Sequence, residues 1–97
     1  MIVIKDLNNS KPYKVFNQFY ESALRNAQPN IEAILIASMD KKNDEVDARF
    51  VNLKYVSNND WIFFSNYESP KANQFKNHNQ ISAVIFWSTI NVQIRMK

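Results

Sequence analysis

From Ile31 to Met96 the apolar residues fall into short runs separated by clusters of Asn, Asp, Ser and Lys, a pattern that few architectures satisfy. The runs predict strands near Ile31–Met39, Ala48–Val56, Trp61–Ser65, Ile81–Trp87 and Val92–Met96. The connections Asp40–Asp47 and Ser57–Asp60 read as hairpins. Three of the strands are apolar on both parities, as in Ile34-Leu35-Ile36 and Ala83-Val84-Ile85-Phe86. The last alternates instead, Val92, Ile94 and Met96 against Gln93, Arg95 and Lys97. Burial of both parities calls for two coverings, a barrel interior on one side and a helix or a second subunit on the other.

Ahead of the strands lies one helical pattern. Ser10 suits an N-cap and Pro12 a first turn. Val15, Phe16, Phe19, Tyr20, Ala23, Leu24 and Ala27 then recur at helical spacing up to Pro29. The fold class expected is therefore mainly β with flanking helices (α+β). At 97 residues, 45% of them hydrophobic, the chain has room for one core, so residues 1–97 read as a single domain. Glycine is absent, which leaves Asn58 and Asn59 to supply any left-handed turn positions.

The residue inventory excludes several chemistries. There is no cysteine, hence no disulfide framework and no thiolate metal site. A single histidine, His78, cannot by itself build a metal cluster or a Ser-His-Asp triad, so no metal is expected. Without glycine there is neither a P-loop nor a GxGxxG turn, and any redox chemistry must come from a cofactor. The net charge is +3 with a pI near 9.3, but the cations are scattered and the longest basic run is Lys41-Lys42, the pattern of a solvated surface. A small basic barrel stacking single-stranded nucleic acid on Trp61, Phe63 and Phe64 is the lesser alternative. The run from Met1 to Leu7 is too short for a signal peptide, and no stretch reaches the roughly 20 apolar residues of a membrane span, so a cytoplasmic location is expected.

One segment carries chemistry. In Ser65-Asn66-Tyr67-Glu68-Ser69-Pro70-Lys71, Ser69 reads as an N-cap and Pro70 as the first residue of a short helix. Its free N–H groups and Lys71 outline a phosphate site, although capped helix starts beside a lysine are also common without one. Arg49 and Lys54 bracket the second predicted strand. Five residues apart, they fall on opposite faces unless a bulge intervenes, and they read equally as exposed charges.

Four ordered stretches together resemble the pyridoxamine 5'-phosphate oxidase family, whose members are homodimeric split barrels holding FMN at the subunit interface. They are Pro12 to Ala23 with Ala33–Ser38, Arg49-Phe50-Val51-Asn52-Leu53-Lys54 (R-x-V-L-L-K in the family), Phe63–Lys71 (close to F-Y-T-N-Y-E-S-R-K), and Phe86-Trp87 with Gln93-Ile94-Arg95. The resemblance implies an FMN-binding split β-barrel and a homodimer, with FMN contacts at Arg49, Asn52, Leu53, Lys54, Phe64, Ser65, Ser69, Lys71 and Gln93. It places Lys54 near the substrate as well. The catalytic residue is left unassigned.

The departures set further expectations. Pro70 stands where the family has an arginine, Asn43-Asp44-Glu45-Val46 where it has a D-G-x-P turn, and Val92 where an arginine precedes the glutamine. One lost charge-assisted hydrogen bond is worth roughly 1.5–3 kcal/mol, about tenfold to a hundredfold in FMN affinity. The resemblance covers only the front portion of the family, a barrel of about five strands. Most substrate contacts lie outside it. An FMN-binding protein with weak or no pyridoxamine-phosphate oxidase activity is expected, with a flavin-binding module lacking turnover as the alternative.

Overall fold

The computed structural model describes residues 1–64 and 80–97. In chain order these form β1 (Val3–Lys5), α1 (Lys11–Arg25), β2 (Ala33–Asp40), β3 (Glu45–Ser57), β4 (Asp60–Phe63), β5 (Ile81–Trp87), a 3₁₀ turn (Ser88–Ile90) and β6 (Val92–Met96). The sheet is mixed, in the order β1-β3-β2-β5-β6, with β4 also on β3. Among the described strands only β1 runs parallel to its neighbour. β6 pairs with β5 alone among the described residues, so the sheet is not closed. The whole is an α+β arrangement consistent with a split barrel lacking some of its strands. The short helix expected at Ser69 lies outside the described residues.

Helix α1 forms where its periodicity places it, with two differences at its ends. Ser10 adopts the extended cap conformation and its carbonyl accepts from the Lys14 amide at 3.1 Å, but its hydroxyl caps nothing. The helix stops at Arg25, before Pro29, because Ala27 turns left-handed with φ 53°. The Ala27 amide then donates to the Leu24 carbonyl at 3.1 Å and the Gln28 amide to the Ala23 carbonyl at 3.0 Å. Those paired bonds close a helix end in the geometry that glycine usually supplies. Five other residues share the left-handed region, namely Asp6, Asn30, Asp44, Asn58 and Asn91. Asn58 thus does what a glycine-free hairpin requires, and Asn59 does not.

The helix lays Phe16, Tyr20 and Ala23 on one face of the sheet, against Ile34, Ile36, Leu53, Val56, Ile85 and Trp87. Each large apolar side chain withdrawn from water contributes about 1.5–3 kcal/mol, which makes this layer the main source of stability. Polar atoms inside it are satisfied. The Trp87 Nε1 donates to the Ile31 carbonyl at 2.9 Å. The Tyr20 hydroxyl accepts from the Ile2 amide at 2.9 Å and donates to the Ile2 carbonyl at 3.1 Å, holding the β1 end of the chain to the helix. Burial pushes the Tyr20 phenol above its ordinary pKa; the Ile2 bond opposes the shift and the Glu32 charge adds to it.

Among the described residues only one of the two expected coverings is present. β2 alternates between buried Ile34, Ile36 and Ser38 and half-buried Ala33, Leu35 and Ala37, and the latter row faces away from α1.

Candidate functional site

The face turned away from α1 gathers several of the residues singled out from the sequence. Residues directly opposed in an antiparallel ladder project to the same side. Phe50 opposes Leu35, Leu35 opposes Val84, and Val84 opposes Arg95, so these four cross the sheet in one row. In the next row Asn52 opposes Ala33 and Phe86 opposes Gln93. Lys54 follows Asn52 on β3 and is exposed. With strands about 4.8 Å apart, Asn52 and Gln93 stand three spacings from each other, about 14 Å across an apolar floor.

Two properties mark this face. Its aromatic rings are unusually open, Phe50 at 71% and Phe86 at 57% exposure. Among the described residues its charges are all of one sign. The outward positions of β2, of β3 from Val46 to Lys54, of β5 and of β6 include Lys54 and Arg95 but no carboxylate. Neither cation makes a salt bridge to a described residue. A flat apolar surface flanked by amides and uncompensated cations suits a planar ring bearing an anionic group, and in kind it fits a flavin mononucleotide.

The other sequence-singled residues are placed differently. Arg49 lies on the parity of Val51 and Leu53, the core-facing side, and is ion-paired with Asp47 two residues away on the same face. Leu53 is wholly buried, so its side chain is beyond a ligand's reach. A bulge does occur on β3, where Leu53 opposes Phe63 but Tyr55 opposes Ile62. It leaves Leu53 and Val56 both buried and Lys54 and Tyr55 both exposed, and Arg49 and Lys54 remain on opposite faces. Phe64 is exposed at the end of β4. Ser65, Ser69 and Lys71 lie outside the described residues. Phe50, Phe86 and Arg95 were not among the expected contacts, because only the cross-strand register shows that they share a face with Asn52 and Gln93.

The residues proposed as stacking platforms for nucleic acid do not form one. Trp61 and Phe63 are half-buried on the α1 side, Trp61 with its ring centroid 4.8 Å from that of Phe16 and its Nε1 3.3 Å from the Tyr13 hydroxyl. They line an open cleft of about 520 Å³ between α1 and the sheet, along with Tyr13, Phe16, Ile94 and Met96. No described helix is long and apolar enough to cross a membrane.

An open mixed sheet covered, among the described residues, by one helix is an α+β arrangement consistent with a split barrel lacking some of its strands. No family model matches it. Over 95 residues, 96% of this chain, it is 30% identical to the pyridoxine/pyridoxamine 5'-phosphate oxidase of Rippkaea orientalis. It is 32% identical over 89 residues to the protein of that name from Azotobacter vinelandii and 27% identical over 88 residues to the one from Leptospira interrogans. The chain spans 43%, 41% and 41% of these three relatives, about two fifths of their length. It belongs to the pyridoxamine 5'-phosphate oxidase family as a portion of it.

Proposed function

We propose that this chain is a single flavin-binding domain that holds FMN against the outer face of its sheet, as a homodimer. The observation that carries the reading is the row arrangement of Asn52, Lys54 and Gln93 around Phe50 and Phe86, on a face whose described positions carry no carboxylate. The apolar floor accepts the ring. Asn52 and Gln93 offer amide donors and acceptors to its polar edge, and Lys54 compensates the phosphate. Arg49, Leu53, Phe64, Ser65, Ser69 and Lys71 join this reading through the family resemblance, Leu53 through its backbone only. FMN when bound would supply the electron-pair chemistry, and the chain would supply orientation and charge.

A second copy belongs to the reading because the same face leaves large apolar side chains in water. Large apolar side chains left in water on one face mark association surfaces. Lys54 is also proposed to approach the substrate.

Flavin fluorescence titration tests the reading. FMN should bind more tightly than riboflavin, which lacks the phosphate. Lys54→Ala should shrink that difference, and Gln93→Ala should weaken both ligands alike. Equal affinity for FMN and riboflavin in the unmodified chain would refute the phosphate assignment, and binding of neither would refute the site.

A further inference from the structure

The outer face has a second feature at the end of β3 away from Lys54. Ala48, Ala37 and Ser82 oppose one another across β3, β2 and β5, and Val46 opposes Met39 in the next row. Side chains as short as alanine and serine leave the sheet surface low beside the taller Met39 and Val46. A hollow of about 520 Å³ opens there, lined by Ala37, Met39, Val46 and Ser82 and by two cations, Lys41 and Lys97. Neither lysine is ion-paired with a described residue. The carboxylates at this end of the hairpin are directed elsewhere. Asp40 lies on the other parity of β2, where it accepts from the Asn43 side chain at 2.8 Å and the Lys42 amide at 3.1 Å, and Glu45 opposes it on that same side. The hollow is also apart from the positions proposed for the flavin. Ala37 and Ala33 stand four residues apart on β2, about 13 Å, with the row of Phe50, Leu35 and Val84 between them.

We propose that this hollow is a binding site for a small phosphate monoester with an apolar body, separate from the site of the flavin. Two cations lining one concavity without a counter-charge focus a positive potential and favour an anion. Lysine, a compact charge carrying three donors, suits phosphate oxygens, and the Ser82 hydroxyl adds a donor at the floor. Met39 and Val46 form an apolar wall that a free inorganic ion would leave in water, so the ester fits the hollow better than the ion does. The volume lies within the range of small-molecule pockets and accommodates a one-ring ester. Nothing in this depends on flavin binding, so the two sites stand or fall separately.

Phenyl phosphate titrated into the isotope-labelled 97-residue chain, with and without FMN, tests the proposal through backbone amide shifts. Saturable shifts should centre on Ala37, Met39, Val46 and Ser82 in both cases, with a Kd of about 1 mM, as befits so small a ligand on an open surface. Inorganic phosphate should bind about tenfold more weakly, and Lys41→Ala and Lys97→Ala should each weaken phenyl phosphate about fivefold or more by deleting a charge-assisted bond. Both lysines are exposed, so neither change threatens folding. Lys11→Ala, on α1 across the sheet, removes the same net charge and should leave affinity within about twofold. Absence of saturable shifts at about 20 mM phenyl phosphate would overturn the proposal. So would shifts centred on Asn52 and Gln93 and abolished by FMN, which would make the ester a competitor at the flavin positions. Equal affinities for phenyl phosphate and inorganic phosphate would overturn it too, by reducing the hollow to two surface charges.

Discussion

Replacing Ala27 with glycine should stabilise this protein, although the substitution removes a methyl group and adds no contact. Ala27 sits at φ 53° just past α1, where its amide and that of Gln28 close the helix end. For a residue with a Cβ the left-handed conformation costs roughly 1–2 kcal/mol, and glycine is spared that cost. Glycine also loosens the unfolded chain, which takes back about 0.4–1 kcal/mol. Ala27 is exposed, so no packing is forfeited. The net gain is about 0.5–1 kcal/mol, and for a chain of this size it corresponds to a rise of about 2–8 °C in Tm. Thermal unfolding followed by circular dichroism measures it. Ala23→Gly supplies the contrast, because Ala23 is buried in the helix proper and loses both propensity and packing there. An Ala27→Gly variant that melts at or below the parent temperature would show that the helix does not end in this left-handed turn.

Three further outcomes follow from the same structure. The raised Tyr20 pKa means that the neutral phenol's contribution is complete below its ordinary value of 10.0 and fades as the pH climbs through the higher folded value. Denaturant midpoints should therefore fall in strong alkali, less so in Tyr20→Phe, which at neutral pH should cost about 1–3 kcal/mol by leaving the Ile2 amide and carbonyl without their partner. Light scattering at low micromolar concentration should show a dimer, and Phe86→Asp on the outer face should shift it toward monomer; a stable parent monomer would count against the subunit reading. FMN-loaded chain under air should form little or no pyridoxal 5'-phosphate from pyridoxamine 5'-phosphate, because substrate orientation needs contacts that Lys54 alone does not provide; turnover comparable to a full-length relative would contradict this.

What the sequence disclosed and what it hid divide along the range of the interactions involved. Helix α1 and strand β6 could be placed from periodicity alone, since a 3.6-residue or two-residue repeat is a local property, and β5 from an unbroken apolar run between polar clusters. β1 could not. Val3–Lys5 is too short to show a repeat, and it exists because it pairs with Tyr55–Ser57, half the chain away. β3 begins at Glu45, earlier than its apolar residues suggest, because Glu45–Asp47 bond across the hairpin to Ser38–Asp40, and ladder bonds do not depend on polarity. Absence of glycine pointed correctly to asparagine turns, but nothing in a helical stretch marks an alanine for a left-handed cap.

The candidate site shows the same division at the scale of single residues. Counting parity along β3 already separates Arg49 from Lys54, and the structure keeps them apart. The register that brings Asn52 and Gln93 onto one floor runs through β2 and β5, so no spacing within either motif contains it. The bulge after Leu53 then sets the limits of both surfaces. A regular strand that buries Leu53 would bury Tyr55 next and expose Val56. The extra residue instead carries Leu53 and Val56 into the core beneath α1 and turns Lys54 and Tyr55 outward. One inserted position thereby brings Val56 into the inner layer, next to the cation Lys54, which faces outward as it would in a regular strand. Core and site are coupled there, so removing Lys54 altogether should disturb folding and ligand affinity together, whereas Lys54→Ala should change affinity alone.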